Sequence, residues 1–185
     1  TGASTGGFTD CLIQHGAVKV YAIDVGYGQL AGKLRVDERV VNMEKTNIGD
    51  VTPEQLDPKP ELASIDLSYL SLKKGIPIVA KLLKPQGDML CLVKPLFEVD
   101  DPEIRRTGVI EDPDVYKEVL EDLVKYTEDI GLNPIGVTHS PVTGNKGTRE
   151  FFLWVSIDLN KERRNIEEDI TGAINEVMEL KTYEK

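Results

Sequence analysis

Thr1-Gly-Ala-Ser-Thr-Gly-Gly-Phe-Thr-Asp10 is glycine-rich and runs straight into an apolar, helix-like segment, FTDCLIQHGA. Gly2, Gly6 and Gly7 suit a sharp backbone turn and let the main chain approach a ligand with no Cβ in the way. A helix that starts just behind such a turn offers free N–H groups to a polar or anionic ligand. A strand is expected to precede the turn, so the chain reads as part of a longer protein.

Working outward, residues 7–15 read as a first helix and Lys19–Asp24 as a short apolar strand ending in a carboxylate. A second helix is expected over 28–36, and Val40–Lys45 reads as a strand with Asn47 just past its end. A Pro/Asp-rich linker, 52–60, leads to Leu62–Asp66, again a strand closed by a carboxylate. The next helix is expected over 71–83, stopped by the turn signal Lys84-Pro-Gln-Gly87. Met89–Val93 is the most apolar strand and is followed by Lys94-Pro95; residues 98–111 read as a polar loop. Asp112-Pro-Asp opens a helix to about Ile130, with acidic residues in its first turn as the macrodipole favours. Pro134–Thr138 and Phe151–Ile157 are two further strands, and 161–181 reads as an amphipathic C-terminal helix.

Strands alternating with long helices imply an α/β fold with a mostly parallel sheet and helices on both faces. The loop between the last two strands is too short for a helix, so those two should form an antiparallel hairpin at one edge. In such sheets ligands sit beyond the carboxyl ends of the strands. That places the glycine turn, Asp24, Asn47, Asp66 and Lys94 together. Asp24 lies 22 residues after Gly2, at the end of the second strand, where a carboxylate accepts hydrogen bonds from ribose hydroxyls. The pattern alone suits both NAD and S-adenosylmethionine. The glycine spacing is not GxGxxG and leaves no second glycine for close approach of a pyrophosphate, which favours a nucleoside ligand without a diphosphate.

Composition narrows the classes. At 185 residues, 40% apolar and 29% charged, the chain fits one soluble domain with a sizeable core. The net charge of −10 argues against a surface that is basic throughout. Residues 98–130 hold twelve acidic and four basic side chains, so the acidity is concentrated there. No apolar run reaches the roughly 18 residues of a membrane helix. Cys11 and Cys91 lie in apolar segments and read as buried thiols of a reducing, cytoplasmic compartment. No CxxC or clustered His/Cys pattern points to a metal, and His15 and His139 receive no role. Phe8 and Tyr27 flank the turn and read first as core packing.

GASTGGFTD, VYAIDVGYGQL, DLSYLSL, LVKPLFE and SPVTGNKGTREFFLW, in that order, resemble the TlyA/hemolysin-A family over most of residues 2–155. These are FtsJ-like, S-adenosylmethionine-dependent methyltransferases of ribosomal RNA ribose 2′-hydroxyls. The resemblance implies a Rossmann-like methyltransferase fold over 1–158 that lacks its first strand, with 159–185 a helical extension of the same domain. It implies a Lys-Asp-Lys-Glu set in which Asp66, Lys94 and Glu150 are the last three members and the first lysine lies upstream. The family's S4-like RNA-binding module is expected upstream too. For the methyl donor it implies a site made of Gly2, Ala3, Ser4, Thr5, Gly6, Gly7, Phe8, Asp24, Val25, Asn47 and Asp66.

The chemistry is intelligible from the residues. A ribose hydroxyl must lose its proton as it attacks a methyl sulfonium, and a lysine with its free pKa of about 10.4 accepts protons poorly at neutral pH unless buried or beside another cation. Lys94 is therefore expected to be the general base, oriented by Asp66 and Glu150, with no metal. Arg105, Arg106, Lys146 and Arg149 are candidate contacts to RNA phosphates, and the expected partner is ribosomal RNA or a ribosomal subunit. Two other readings stand beside this one. The first is a methyltransferase of small molecules or proteins. The second is a non-enzymatic hemolysin or ribosome-associated protein, although no cationic amphipathic helix supports membrane lysis. The mixed charge of the last helix suits packing or homodimerisation better than lipid.

Overall fold

The computed structural model describes residues 1–180. Among the described residues, six strands form two sheets. In the smaller, β1 (Val20–Ile23) pairs in parallel with β2 (Val40–Met43). In the larger, the order is β3 (Leu62–Ile65), β4 (Asp88–Val93), β6 (Phe151–Ser156), β5 (Asn133–His139). β3 and β4 are parallel, and β6 alone runs against its neighbours, so the expected edge hairpin is present. A register shift between Pro134 and Gly136 marks a bulge in β5.

The two sheets meet through the first three residues. Thr1 N donates to Ser64 O (2.6 Å) and its carbonyl accepts from Asp66 N (3.0 Å). On the other side, Gly2 N and Ala3 N both donate to Ile23 O (2.9 and 3.1 Å). Below this seam an apolar cavity of about 380 Å³ lies between β1 and β3, lined by Val20, Ala22, Leu62, Ala63, Val79 and Leu82 among others.

The helices follow from where the apolar side chains fall. α3 (Leu72–Leu82) buries Leu72, Ile76, Val79 and Leu82, one stripe at helical spacing. α6 (Pro113–Asp129) buries Tyr116, Val119, Leu120, Leu123 and Thr127, starts on an Asp112 cap that accepts from Asp114 N, and has proline at its first position. α7 (Ile166–Glu179) buries Ile170, Ala173 and Val177 and packs on β5 and α6. Alternate residues of the central strands, Met89, Cys91 and Val93 on β4 with Phe151, Leu153 and Val155 on β6, are wholly buried, as the two-residue period of a strand dictates. α1 (Gly7–Gln14) and the one-turn α2 (Gly32–Arg35) lie against β1 and β2, and Phe8 meets Phe152 edge-on at 6.2 Å.

Five expectations change. The one, mostly parallel sheet is two sheets, with two parallel and two antiparallel pairings, because β1 and β2 pair only with each other. The helix expected over 28–36 is only Gly32–Arg35, because Glu44 captures Gln29 N and Leu30 N (2.8 and 3.1 Å) and holds that segment out of helix. The polar loop 98–111 contains α5 (Pro102–Thr107), capped by Asp101 and preceded by the one-turn α4 (Pro95–Glu98). The last helix begins at Ile166: residues 163 and 164 are drawn into the sheet edge by Arg163–Asn133 and Arg164 N to Ile135 O (2.8 Å), and Lys181 lies outside the described residues. Cys11 is exposed, because α1 buries Thr9 and Ile13 and turns Cys11 outward, whereas Cys91 is buried as expected.

Candidate active site

The carboxyl ends of β1, β3 and β4 open on the same side as the glycine turn. Gly2 is needed there for two reasons. Its φ is +73°, and a Cβ would lie 1.8 Å from the Asp66 carbonyl oxygen. The turn is thus pressed onto the end of β3. Its other side is fastened to Asp24, whose two carboxylate oxygens accept from Ser4 N and Gly26 N, both at 2.7 Å. Ser4 itself has φ +48°, an unusual conformation that its bond to Asp24 holds in place. Thr5 is exposed and accepts Ala31 N at its carbonyl (3.0 Å), and Gly6 packs so closely on Leu34 that a Cβ would come within 2.2 Å. Gly7 opens α1.

Beyond Asp24, Val25 and Tyr27 stand 71% and 70% exposed. Tyr27 is therefore no core residue; Lys45 lies over its ring at 4.1 Å. Asn47 is exposed, and its side-chain oxygen accepts Gly49 N (2.9 Å), which leaves its amide nitrogen to meet a ligand. Phe8 packs on Phe152 and lines the inter-sheet cavity.

Strand register assembles the second half of the site. Val93 pairs with Phe151 across the antiparallel β4–β6 ladder, so the next positions along, Lys94 and Glu150, are neighbours at its end. β3 lies on the other side of β4, and Asp66 follows directly after its last residue, Ile65. Lys94 Nζ donates to Asp66 Oδ1 and reaches Ser68 Oγ at 3.3 Å. Both partners of this ion pair are largely covered. Burial raises the Glu150 carboxyl above the usual range; the charge of Lys94 opposes that rise and the charge of Asp66 adds to it. Gly144 lies over Glu150, with no room for a side chain between them. Asp66, Lys94 and Glu150, distant in sequence, thus share one electrostatic environment.

Four residues of this site were not singled out in the sequence: Ser68, Tyr69, Phe97 and Glu98. Tyr69 is 90% exposed, has φ +64°, and packs on Phe97 at 5.2 Å, beside the Lys94–Asp66 pair. An aromatic side chain in a loop three residues beyond a strand-end carboxylate was the available signal. Glu98 accepts from Ser71 Oγ (2.6 Å) and Leu72 N (2.8 Å).

The four candidate RNA contacts are not equivalent. Arg105 and Arg106 sit on α5; Arg105 Nε donates to Val99 O (2.8 Å), and Arg106 is free to reach outward apart from a loose contact to Glu103 (3.7 Å). Lys146 is exposed in the turn beside Glu150, with φ +56°. Arg149 donates to Val177 O (3.1 Å) and so fastens the last hairpin to α7.

An adenosyl sulfonium ligand fits these residues. Asp24 keeps lone pairs for two ribose hydroxyls after its two backbone bonds, and Asp24 and Asp66 supply negative charge on both sides of the turn. Gly2 lets the turn sit directly on the backbone of Asp66.

The model of the FtsJ-like methyltransferase family, whose methyl donor is S-adenosylmethionine, matches residues 1–157. A Bacillus subtilis protein provisionally named an rRNA methyltransferase, YqxC, is 46% identical over 153 residues, covering 82% of this chain and 54% of that protein. The Mycobacterium tuberculosis 16S/23S rRNA (cytidine-2′-O)-methyltransferase TlyA is 38% identical over 177 residues, covering 95% of this chain and 66% of its own length. A solved structure of a Streptococcus thermophilus protein, provisionally called a hemolysin, superposes with a TM-score of 0.87 at 36% identity, over 96% of this chain and 64% of that one. The chain spans between about half and two thirds of the length of the curated relatives it matches. Among the described residues, no helix is long and apolar enough to cross a membrane. Fold, turn and strand-end residues agree with the match in sequence: the chain belongs to the FtsJ-like methyltransferase family.

Proposed function

We propose that this chain carries the methyl-transfer part of a ribosomal RNA ribose 2′-O-methyltransferase. The observation that carries the proposal is the Lys94–Asp66 ion pair, with Glu150 beside it, set directly behind the glycine turn that packs on Asp66. In the relative from M. tuberculosis the named target is a cytidine ribose of 16S and 23S rRNA, and the same class of hydroxyl is the substrate proposed here.

S-adenosylmethionine supplies an electrophilic methyl group on a positively charged sulfur. Asp24, Ser4 and the turn hold its nucleoside, and Asn47 contributes its amide nitrogen. Lys94 Nζ first releases a proton to solvent; the neutral amine then takes the proton of the attacking 2′-hydroxyl as the new C–O bond forms and the C–S bond breaks, which restores the ammonium that pairs with Asp66. Asp66 fixes Nζ in direction. The raised carboxyl of Glu150 serves as a hydrogen-bond donor or acceptor toward the ribose. Beyond this proton transfer, the site acts by alignment. The exposed Tyr69, backed by Phe97, offers a flat face on which the target base can stack. Arg106 and Lys146 are placed for phosphates, whereas Arg105 and Arg149 have structural partners as well. Residues 159–180 fit a helical extension of the same domain, since α7 spends its apolar face on β5 and α6 and leaves that face unavailable for a homodimer.

The test is label transfer from S-adenosylmethionine to purified ribosomal subunits by the full-length protein, followed by nucleoside analysis. A 2′-O-methylated nucleoside is expected. Lys94→Ala should lose about 10²–10⁴-fold in transfer rate and retain donor affinity. Near-native transfer by Lys94→Ala removes it as the base, and transfer to protein instead of RNA removes the substrate assignment.

A further inference from the structure

We propose that Glu98 is a positioning residue for this reaction: it ties the loop that carries Asp66 to the loop that carries Lys94 and so fixes the ion pair between them. The inference rests on the methyltransferase reading of Lys94 and Asp66.

Lys94 and Glu98 are the two ends of one turn, since α4 starts directly after Lys94 and ends at Glu98. Asp66 and Ser71 bound the facing loop. Across the gap, Glu98 Oε2 accepts from Ser71 Oγ at 2.6 Å and Oε1 accepts from Leu72 N at 2.8 Å. A second fastening lies between them, where Phe97 packs on Tyr69 at 5.2 Å. Both loops are thus closed twice within a few residues of the Lys94–Asp66 contact. Without these ties, the two loops would be joined here chiefly by the contacts of Lys94 with Asp66 and Ser68 themselves.

The carboxylate is half-buried, and burial raises its pKa against the lowering by Ser71, Leu72 N and the charge of Lys73; Asp122 adds to the rise. Two directed hydrogen bonds satisfy this half-buried acid and fix its orientation. One plain use is to cap α3, because Leu72 N is an orphan donor of its first turn and the helix dipole favours a negative group there. Capping alone predicts lost stability and nothing more. Positioning predicts in addition that Lys94 changes its surroundings and that turnover falls while donor binding does not.

The experiment uses the full-length protein with Glu98→Ala, Glu98→Gln and Ser71→Ala. Glutamine keeps an oxygen for Leu72 N and an amide to pair with Ser71 Oγ. Glu98→Ala should lower kcat by about 10–100-fold, the scale of a misplacement near 1 Å, with KM for S-adenosylmethionine within about twofold of wild type; Glu98→Gln should recover most of the loss. The lysine ε-methylene ¹H–¹³C signal of Lys94, assigned with Lys94→Arg, should move in Glu98→Ala and return in Glu98→Gln. That readout needs no methyl transfer, so an inactive wild type counts against the methyltransferase reading alone. An unmoved Lys94 signal, or a kcat per folded molecule equal to wild type, overturns the proposal. Should Glu98→Ala fail to fold, Ser71→Ala decides on the same two readouts: a shifted Lys94 signal with reduced kcat supports it, and native values overturn it.

Discussion

Replacing Gly2 with alanine tests the seam on which the whole site depends. The added Cβ would begin 1.8 Å from the Asp66 carbonyl oxygen, and real Cβ atoms do not come closer than 3.0 Å, so Gly2 and Asp66 must part by about 1.2 Å. Gly2 has little freedom to retreat: its N–H is bonded to Ile23 O at 2.9 Å, and the neighbouring Thr1 carbonyl is bonded to Asp66 N at 3.0 Å. One or both of those bonds stretches or breaks, at about 1 kcal/mol each. The φ of +73° adds about 1 kcal/mol for any residue with a Cβ. The expected loss is about 2–3 kcal/mol, against a total stability on the order of 5–15 kcal/mol. For a chain of this size the melting temperature should fall by roughly 4–12 °C. Donor affinity, read by titration calorimetry below that temperature, should drop at least about tenfold, and transfer rate by about a hundredfold as Asp66 is carried away from Lys94. Gly172→Ala is the control, since it lies inside α7 with nothing within 4 Å and should gain up to about 1 kcal/mol. A Gly2→Ala protein that melts within about 2 °C of wild type and binds the donor normally would refute the reasoning.

Three further outcomes follow from charge and burial. Burial alone would raise the Glu44 carboxyl, but hydrogen bonds from Leu30 N, Asn42, Gln29 N and Arg35 outweigh it and hold the pKa down to about 2; a depressed acid stabilises above its unfolded pKa of about 4.3 and loses that contribution as pH falls toward 2. Melting curves of wild type and Glu44→Gln should therefore differ at pH 7 and draw together as pH falls from about 4 to about 2. Glu150 behaves in the opposite sense: its raised pKa makes ionisation costly in the folded state, so Glu150→Gln should melt higher than wild type by a margin that grows as pH rises, while methyl transfer falls. A thiol reagent should label one cysteine, Cys11, in the native chain and a second only on unfolding, because burial pushes the Cys91 thiol up to about 12.

Much of the candidate site was legible because its residues sit at strand ends that the sequence marks plainly. Asp24, Asp66 and Lys94 each close a short apolar run, and strand ends are where an α/β sheet gathers polar groups. The edge hairpin was legible from loop length alone. Cys11 was misread because apolar neighbours say that a helix is amphipathic without fixing which side faces in. α5 was missed although Asp101-Pro102 carries the same cap-and-proline signature as Asp112-Pro113; the density of charge around it concealed the pattern. Glu98 had no local signal at all, since its partners lie 26 and 27 residues away. The division into two sheets was equally invisible, because pairing between distant strands is a property of the packed chain.

That division has a consequence for how such a protein can change. The groups assigned to the nucleoside, Asp24 to Asn47, hang on one sheet, and the groups assigned to the acceptor, Asp66 to Glu150, hang on the other. Backbone hydrogen bonds at Thr1, Gly2 and Ala3, with the shared core around Ile23 and Ile48, set the offset between them. Substitutions that retarget the acceptor can therefore accumulate on the four-stranded side without retuning the grip on the donor. Conversely, a change at the seam alters the angle of attack for every acceptor at once.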